Sequence, residues 1–474
     1  MRKTEHKTIP PPDLGSNVPI YRQIYERFRV SIAKGVLKPG DRIPSARALM
    51  AELGLARGTV ESAYGLLAAE GYILARGQAG TIVAPDLKPQ QLSIEPGLRT
   101  PFSEPQLSFR PESTMPFQMG LPALDAFPRK IWARLGARAV RSMQPADMAH
   151  PSIFGLPSLR EEIAAYLQVS RGVTCGPHQV FITSGYRNSL SLIAQALLKP
   201  GDRVWTEDPG YPPTRELLSG LQMKAVPVPV DADGIVVAAG VGRAIKARAA
   251  VVTPAHQSPM GVSLSLPRRQ ALLDWASRQG AWVIEDDYDG EYRYVSRPLP
   301  ALKSLDRDGR VLYAGTFSKM LFPSIRLAYV VVPEAVVECF EQTAGRFNGG
   351  SPQLTQAIVS GFIAEGHFSR HIQRMRRLYG DRRAMAVHAF ESALNGLAGI
   401  HVQPGGMHLI LQLRGRRSDR RLVERMKKAG LYGEALSDWR AEGDGVNAVL
   451  IGFTNIETER AAFALASRLR QIMD

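Results

Sequence analysis

The chain has 474 residues, 45% of them hydrophobic, with a formal net charge of +15. That length suits about two to four globular domains. No apolar run is long enough to span a bilayer, no apolar stretch follows the basic N-terminus, and two cysteines, Cys175 and Cys339, exclude a disulfide framework or a four-cysteine metal site. The expectation is a cytoplasmic, metal-free protein whose basic surplus favours a polyanionic partner.

Ile20, Ile24, Phe28 and Ile32 recur at helical spacing, so a helix is expected over 21–33, closed by Gly35. The turn Lys38-Pro39-Gly40-Asp41 follows. Ser45 is placed to cap a helix over 46–53, which Gly54 breaks, and a third helix runs from Ala56-Arg57 to Glu70. Residues 72–74 and 81–83 alternate as a hairpin about Gly77-Gln78-Ala79-Gly80. Three helices and a β-wing make 14–84 a winged helix-turn-helix. Over 85–115, prolines at 85, 89, 96, 101, 105 and 111 interrupt polar residues, the pattern of a semi-stiff linker. From 116 onward short apolar strands (180–183, 203–206, 249–253, 282–285, 311–314, 328–332) alternate with helices, as in an α/β domain on a mostly parallel sheet. The last stretch, about 345–474, is helix-rich with strands near 408–413 and 449–453, a smaller α+β part of the unit 116–474.

Charge is spread along the chain. Residues 1–84 carry +5, leaving +10 (15 − 5) for the rest. Much of that lies in Arg370, Arg374, Arg376, Arg377, Arg382 and Arg383, and again in Arg414, Arg416, Arg417, Arg420 and Arg421. These are either solvated helix faces or a second DNA-facing surface.

Lys319, in Gly315-Thr316-Phe317-Ser318-Lys319, lies 33 residues after Asp286, and Arg326 follows seven residues later. An acid, a lysine and an arginine in this order are what pyridoxal 5′-phosphate requires: a carboxylate for the pyridine nitrogen, a Schiff base to the amine and a cation for the phosphate. Asp286 is the best-spaced acid of Glu285-Asp286-Asp287-Tyr288, with Glu285 and Asp287 as competitors. Ser184-Gly185-Tyr186 ends a strand and opens a helix, so its N–H groups suit phosphate, and Thr316 and Ser318 add hydroxyls.

Several motifs are similar to known families. Ile20-Tyr21-Arg22-Gln23, Leu37-Lys38-Pro39-Gly40-Asp41-Arg42-Ile43-Pro44-Ser45, Arg57-Gly58-Thr59-Val60, Ala69-Glu70-Gly71-Tyr72 and Gly80-Thr81 resemble the GntR family of bacterial regulators. Ser184-Gly185-Tyr186, Glu207-Asp208-Pro209-Gly210-Tyr211-Pro212, the acidic cluster, Lys319 and Arg326 resemble the fold-type I aminotransferases. Together they resemble the MocR/GabR subfamily of GntR regulators. The resemblance implies that Arg57 and Thr59 face base edges, that Ser45 and Arg47 contact phosphates, and that Arg76 on the wing reaches the backbone or minor groove. It implies Tyr211 stacked on the cofactor ring, Tyr288 at the ring hydroxyl, and a homodimer. Three departures stand out. Ser258-Pro259-Met260-Gly261 lacks the superfamily's asparagine, which His256 is expected to replace. His150 stands for an upstream tyrosine. Leu450 stands where the superfamily commonly has an arginine for the substrate α-carboxylate.

The expected protein is a PLP-dependent DNA-binding transcriptional regulator. Its aminotransferase-like domain senses PLP itself, or an amine or amino-acid effector, through the Lys319 aldimine, and its winged helix binds a double-stranded operator. The alternatives are a genuine aminotransferase carrying a DNA-binding arm and a DNA-binding scaffold whose large domain only dimerises.

Overall fold

In a computed structural model the described residues are 12–13, 18–77, 80–87, 114–294, 300–443, 445 and 447–473. Most of the Pro-rich segment, 88–113, lies outside them, as do 14–17 and the Gln78-Ala79 tip of the expected wing turn. The chain divides into two compact units, Met1–Arg110 and Pro111–Asp474.

The first unit contains α1 (Ile20–Ala33), β1 (Arg42–Ile43), α2 (Ala46–Leu53), α3 (Arg57–Ala69), β2 (Ile73–Ala75) and β3 (Thr81–Val83). Ile24, Phe28 and Ile32 form the buried stripe of α1, and α3 answers with Val60, Ala63, Tyr64 and Leu67. Phe28 meets Tyr64 edge-on at 5.6 Å. Ser45 caps α2 by accepting the Ala48 N–H at 3.2 Å, and Gly54 ends it at φ 64°. The sheet has three strands, β1-β3-β2, all antiparallel. The expected hairpin therefore gains a third strand, two residues long and too short to show a period.

The second unit is built on an eight-stranded sheet: β4 (Val180–Thr183), β5 (Arg203–Asp208), β6 (Lys224–Asp231), β7 (Gly234–Ile235), β8 (Ala249–Val252), β9 (Trp282–Asp287), β10 (Val311–Thr316) and β11 (Ala328–Val331). Its order is β4-β11-β10-β9-β8-β5-β6-β7, parallel from β10 to β6, with β11 and β7 antiparallel to their neighbours. Both faces are covered: Val283 joins Trp205 and Trp275 on one side, Ile284 joins Phe181 and Phe340 on the other. β6 was not expected because Pro227 and Pro229 interrupt it. The two prolines are two residues apart, so both missing N–H groups fall on one edge, leaving the other to pair with β5.

Helices α4 (Arg129–Ser142), α5 (Pro157–Arg171), α6 (Tyr186–Leu197), α7 (Pro212–Gly220), α8 (Val237–Ala244), α9 (Leu266–Gln279), α10 (Val337–Phe347) and α11 (Gln353–Ala364) connect and flank the strands. The 27-residue α12 (His367–Ala393) leads to a four-stranded antiparallel sheet of β12 (Ala398–His401), β13 (His408–Leu413), β14 (Glu434–Ala435) and β15 (Ala448–Gly452), in the order β12-β13-β15-β14. α13 (Asp419–Lys428), α14 (Leu436–Trp439) and α15 (Glu459–Met473) complete this part. Among the described residues no helix is long and apolar enough to cross a membrane.

Candidate functional site

Loops converge at the carboxyl ends of the central strands, where open α/β sheets hold ligands. β9 delivers three consecutive acids, which alternate between faces. Glu285 accepts the backbone N–H groups of Leu302 at 2.7 Å and Lys303 at 2.8 Å. Asp287 is ion-paired with buried Arg171 and accepts the Tyr313 hydroxyl at 2.5 Å. Both are committed to the fold. Asp286 instead lines a cavity of about 280 Å³, and its carboxylate has no hydrogen-bond partner among the described residues. Burial first, then the neighbouring carboxylates Asp287, Glu207 and Asp289, push its pKa well above the usual aspartate range, and Lys319 opposes them.

Lys319 follows β10 and lines the same cavity, donating to the Gly120 carbonyl at 3.0 Å. Gly120 has φ 62°, and a Cβ there would collide with the lysine amine, so glycine is what lets this turn approach. Burial lowers the lysine's pKa, against the attraction of Asp289, Glu434 and Asp286. A buried amine that loses its proton more readily is a better nucleophile.

Arg326 ends a short helical turn in the left-handed region, φ 47° and ψ 46°. Its guanidinium lies against Gly185: a Cβ on that residue would stand 2.9 Å from Nη2 and 3.0 Å from Cζ. Gly185 also begins α6, where Asn188 and Ser189 donate to its carbonyl and the first N–H groups of the helix point outward. The Arg326 side chain makes no salt bridge or hydrogen bond among the described residues. A guanidinium beside a helix N-terminus is an anion site.

Aromatic groups close the cavity. The Tyr186 and Thr214 hydroxyls are 2.7 Å apart, and the Tyr186 ring meets Tyr211 edge-on at 5.9 Å. Tyr211, 41% exposed, packs at a tilt on Trp439 at 5.6 Å. Tyr288 lines the wall, with its hydroxyl 3.0 Å from His256 Nδ1. Thr316 and Ser318 complete the lining, and Thr316 Oγ1 accepts the Ser318 N–H at 3.2 Å.

Two expected residues stand elsewhere. Ser184 does not line the cavity, and its N–H donates to Asn188 at 3.0 Å. His256 is buried one layer behind Tyr288, with Nδ1 3.1 Å from the Asp289 carboxylate. It meets the cavity only through Tyr288 and is not in the wall itself. His150 is exposed. Leu450 is fully buried in an apolar cluster with Ile410, Leu436 and Trp439, onto which Met119 and Met260 pack. Leu450 thus backs the wall formed by Met119 and Trp439. Sequence reasoning missed Met119, Asp289, His408 and Glu434, all lining residues. Asp289 was findable, two residues beyond the acidic cluster. The others come from distant segments with no marker.

In the first unit, Arg57 opens α3 with its side chain 78% exposed and bonded to Glu61 at 2.7 Å. Arg47 is exposed on α2, Thr59 is partly buried, and exposed Arg76 follows β2, its backbone N–H donating to Gly80 at 2.8 Å. Ser45, although exposed, uses its hydroxyl in the helix cap.

Residues 20–83 match the family of bacterial regulatory proteins named gntR, and 124–440 match aminotransferase class I and II. The chain is 37% identical over 448 residues to the "Probable rhizopine catabolism regulatory protein MocR" of Rhizobium meliloti, covering 92% of this chain and 87% of the relative. It is 34% identical to the pyridoxine biosynthesis transcriptional regulator PdxR of Corynebacterium glutamicum, covering 94% of each. The chain belongs to the MocR/GabR subfamily of GntR-type transcription regulators. Its second unit resembles solved aminotransferases, among them the kynurenine aminotransferase of Pyrococcus horikoshii (TM-score 0.69, 26% identity, 76% of this chain and 91% of that one). An archaeal alanine:glyoxylate aminotransferase matches similarly, with TM-score 0.70, 26% identity, and 76% and 90% covered.

Family membership implies DNA binding by this regulator's winged helix and PLP in its aminotransferase fold. The donor set fits that cofactor. An unpartnered buried carboxylate, an unpaired guanidinium at a helix start and a buried amine line one cavity. These would meet a protonated ring nitrogen, a phosphate and an aldehyde. When bound, the cofactor supplies an electrophilic carbonyl that amines can reach.

Proposed function

We propose that the regulator holds PLP covalently on Lys319 and changes its grip on operator DNA when that site is altered by an effector. Asp286 keeps the ring nitrogen protonated, and Arg326 with the start of α6 holds the phosphate. Tyr211 covers the ring and Tyr288 orients its hydroxyl, steadied by His256. Residues 14–84 read double-stranded DNA through Arg57 and Thr59, residues 85–115 act as a spacer, and 116–474 form the effector and dimerisation part of a cytoplasmic homodimer. Effector and DNA are then coupled by a free-energy difference between two states of the protein.

The observation carrying this reading is that the Asp286 carboxylate and the Arg326 guanidinium, unpaired among the described residues, line one cavity with the buried amine of Lys319, which only the Gly120 carbonyl holds. Borohydride treatment of the PLP-loaded protein is expected to fix the label on the peptide containing Lys319. Label elsewhere, or no visible absorbance, would sink the assignment. The likeness to kynurenine aminotransferase favours a competing reading, a working aminotransferase with a DNA-binding arm. The apolar Leu450 opposes it, because it offers no clamp for an α-carboxylate. Multiple-turnover transamination of a common amino acid at about 1 s⁻¹ or faster would establish the enzyme instead.

A further inference from the structure

We infer that Glu434 makes the effector pocket selective for a cation: the ligand it takes is an amine bearing a second positively charged group, with no α-carboxylate. This rests on the cofactor reading above and adds the chemical class of the effector.

β14 pairs with β15 so that Glu434 stands directly across the ladder from Leu450, which in turn faces Ile410 on β13. Directly opposed residues project from the same face of a sheet. On that face Leu450 and Ile410 pack with Trp439, Met119 and Met260, leaving Glu434 as the charged member of the row. Glu434 lines the cavity that holds Lys319. Its carboxylate is held from both ends: the Tyr432 hydroxyl donates to Oε1 at 3.0 Å and the Trp439 indole N–H to Oε2 at 3.0 Å. Both donors are neutral, so they fix the group without cancelling its charge. Burial raises the Glu434 pKa, while these two hydrogen bonds and Lys319 oppose that rise.

Asp289 adds further negative charge near Lys319. A carboxylate entering beside Leu450 therefore meets a like charge in a poorly hydrated wall. An ammonium gains a charge-assisted hydrogen bond there. Repulsion of one class and attraction of the other act together, which is how sites discriminate.

The test uses the full-length protein loaded with PLP, followed by visible absorbance. Putrescine, butylamine and γ-aminobutyrate have the same carbon chain and differ only at the far end. Putrescine is expected to bind about tenfold or more tightly than butylamine, since a hydrogen bond to a charged group is worth at least that factor, and γ-aminobutyrate most weakly. Glu434→Gln keeps the shape and removes the charge, and should bring the putrescine-to-butylamine ratio to within about twofold. Equal binding of the two amines, tighter binding of γ-aminobutyrate, or an unchanged ratio in the variant overturns the proposal. The wild-type ratio stands as a test even if the variant does not fold. Absence of visible absorbance after PLP is added refutes the cofactor reading and this proposal together, whereas a loaded protein that responds to no amine refutes this proposal. A response to amines without preference for putrescine refutes this proposal alone.

Discussion

Gly185→Ala is the sharpest probe of the anion site. Gly185 has φ 122° and ψ 172°, a region essentially reserved for glycine. A Cβ there would also come 2.9–3.2 Å from the Arg326 guanidinium. Backbone strain of this kind costs about 1–3 kcal/mol. The second conflict is resolved at the far end of a flexible side chain, so Arg326 swings away and the fold survives. The anion site then loses a charge-assisted contact worth roughly 1.5–3 kcal/mol, and PLP affinity should fall by about ten- to 150-fold. Titration of the apo protein with PLP gives the affinity, and thermal melting without PLP gives the strain. Unchanged affinity alongside a lowered melting temperature would show that the guanidinium beside α6 is not the phosphate site.

Three further outcomes are expected. Arg57→Ala should lose about 1–3 kcal/mol of discrimination between operator and random DNA, because its exposed pair with Glu61 holds it only weakly. Arg47→Ala should weaken both about equally and flatten the salt dependence, and competition binding at two salt concentrations separates them. Glu207 is buried against Thr253 and Gln257, and burial pushes its pKa up to about 7 from an ordinary 4.5. Its contribution to stability is full below about pH 4.5 and is lost as pH rises through about 7. Glu207→Gln should therefore gain melting temperature relative to wild type as pH rises from about 4.5 to 7 and hold that gain above it, with Glu285 and Glu291 retaining part of the slope; a pH-independent difference would show that Glu207 does not titrate there.

Local chemistry was legible in the sequence. The helical spacing of Ile24, Phe28 and Ile32, the Ser45 cap and the stop at Gly54 are set by residues within a few positions of one another, and α1, α2 and α3 lie within a residue or two of where they were expected. The strands ending at Asp287 and Thr316 were legible as apolar runs, each only extended at its carboxyl end by polar residues that hydropathy cannot assign. What the tertiary structure decided is which polar groups are free. Strand alternation separates Asp286 from its neighbours, but only the packing of Arg171, Tyr313 and the 302–303 backbone shows that Glu285 and Asp287 are already satisfied. His256 is held behind Tyr288 by Asp289 for the same reason. Glu434 belongs to a strand of two residues whose place is set entirely by its pairing with β15. No periodicity can appear over two residues, and no local spacing links Glu434 to Lys319, 115 positions earlier. The charge at this end of the cavity is therefore a property of the folded sheet, because only the ladder places that carboxylate opposite Leu450.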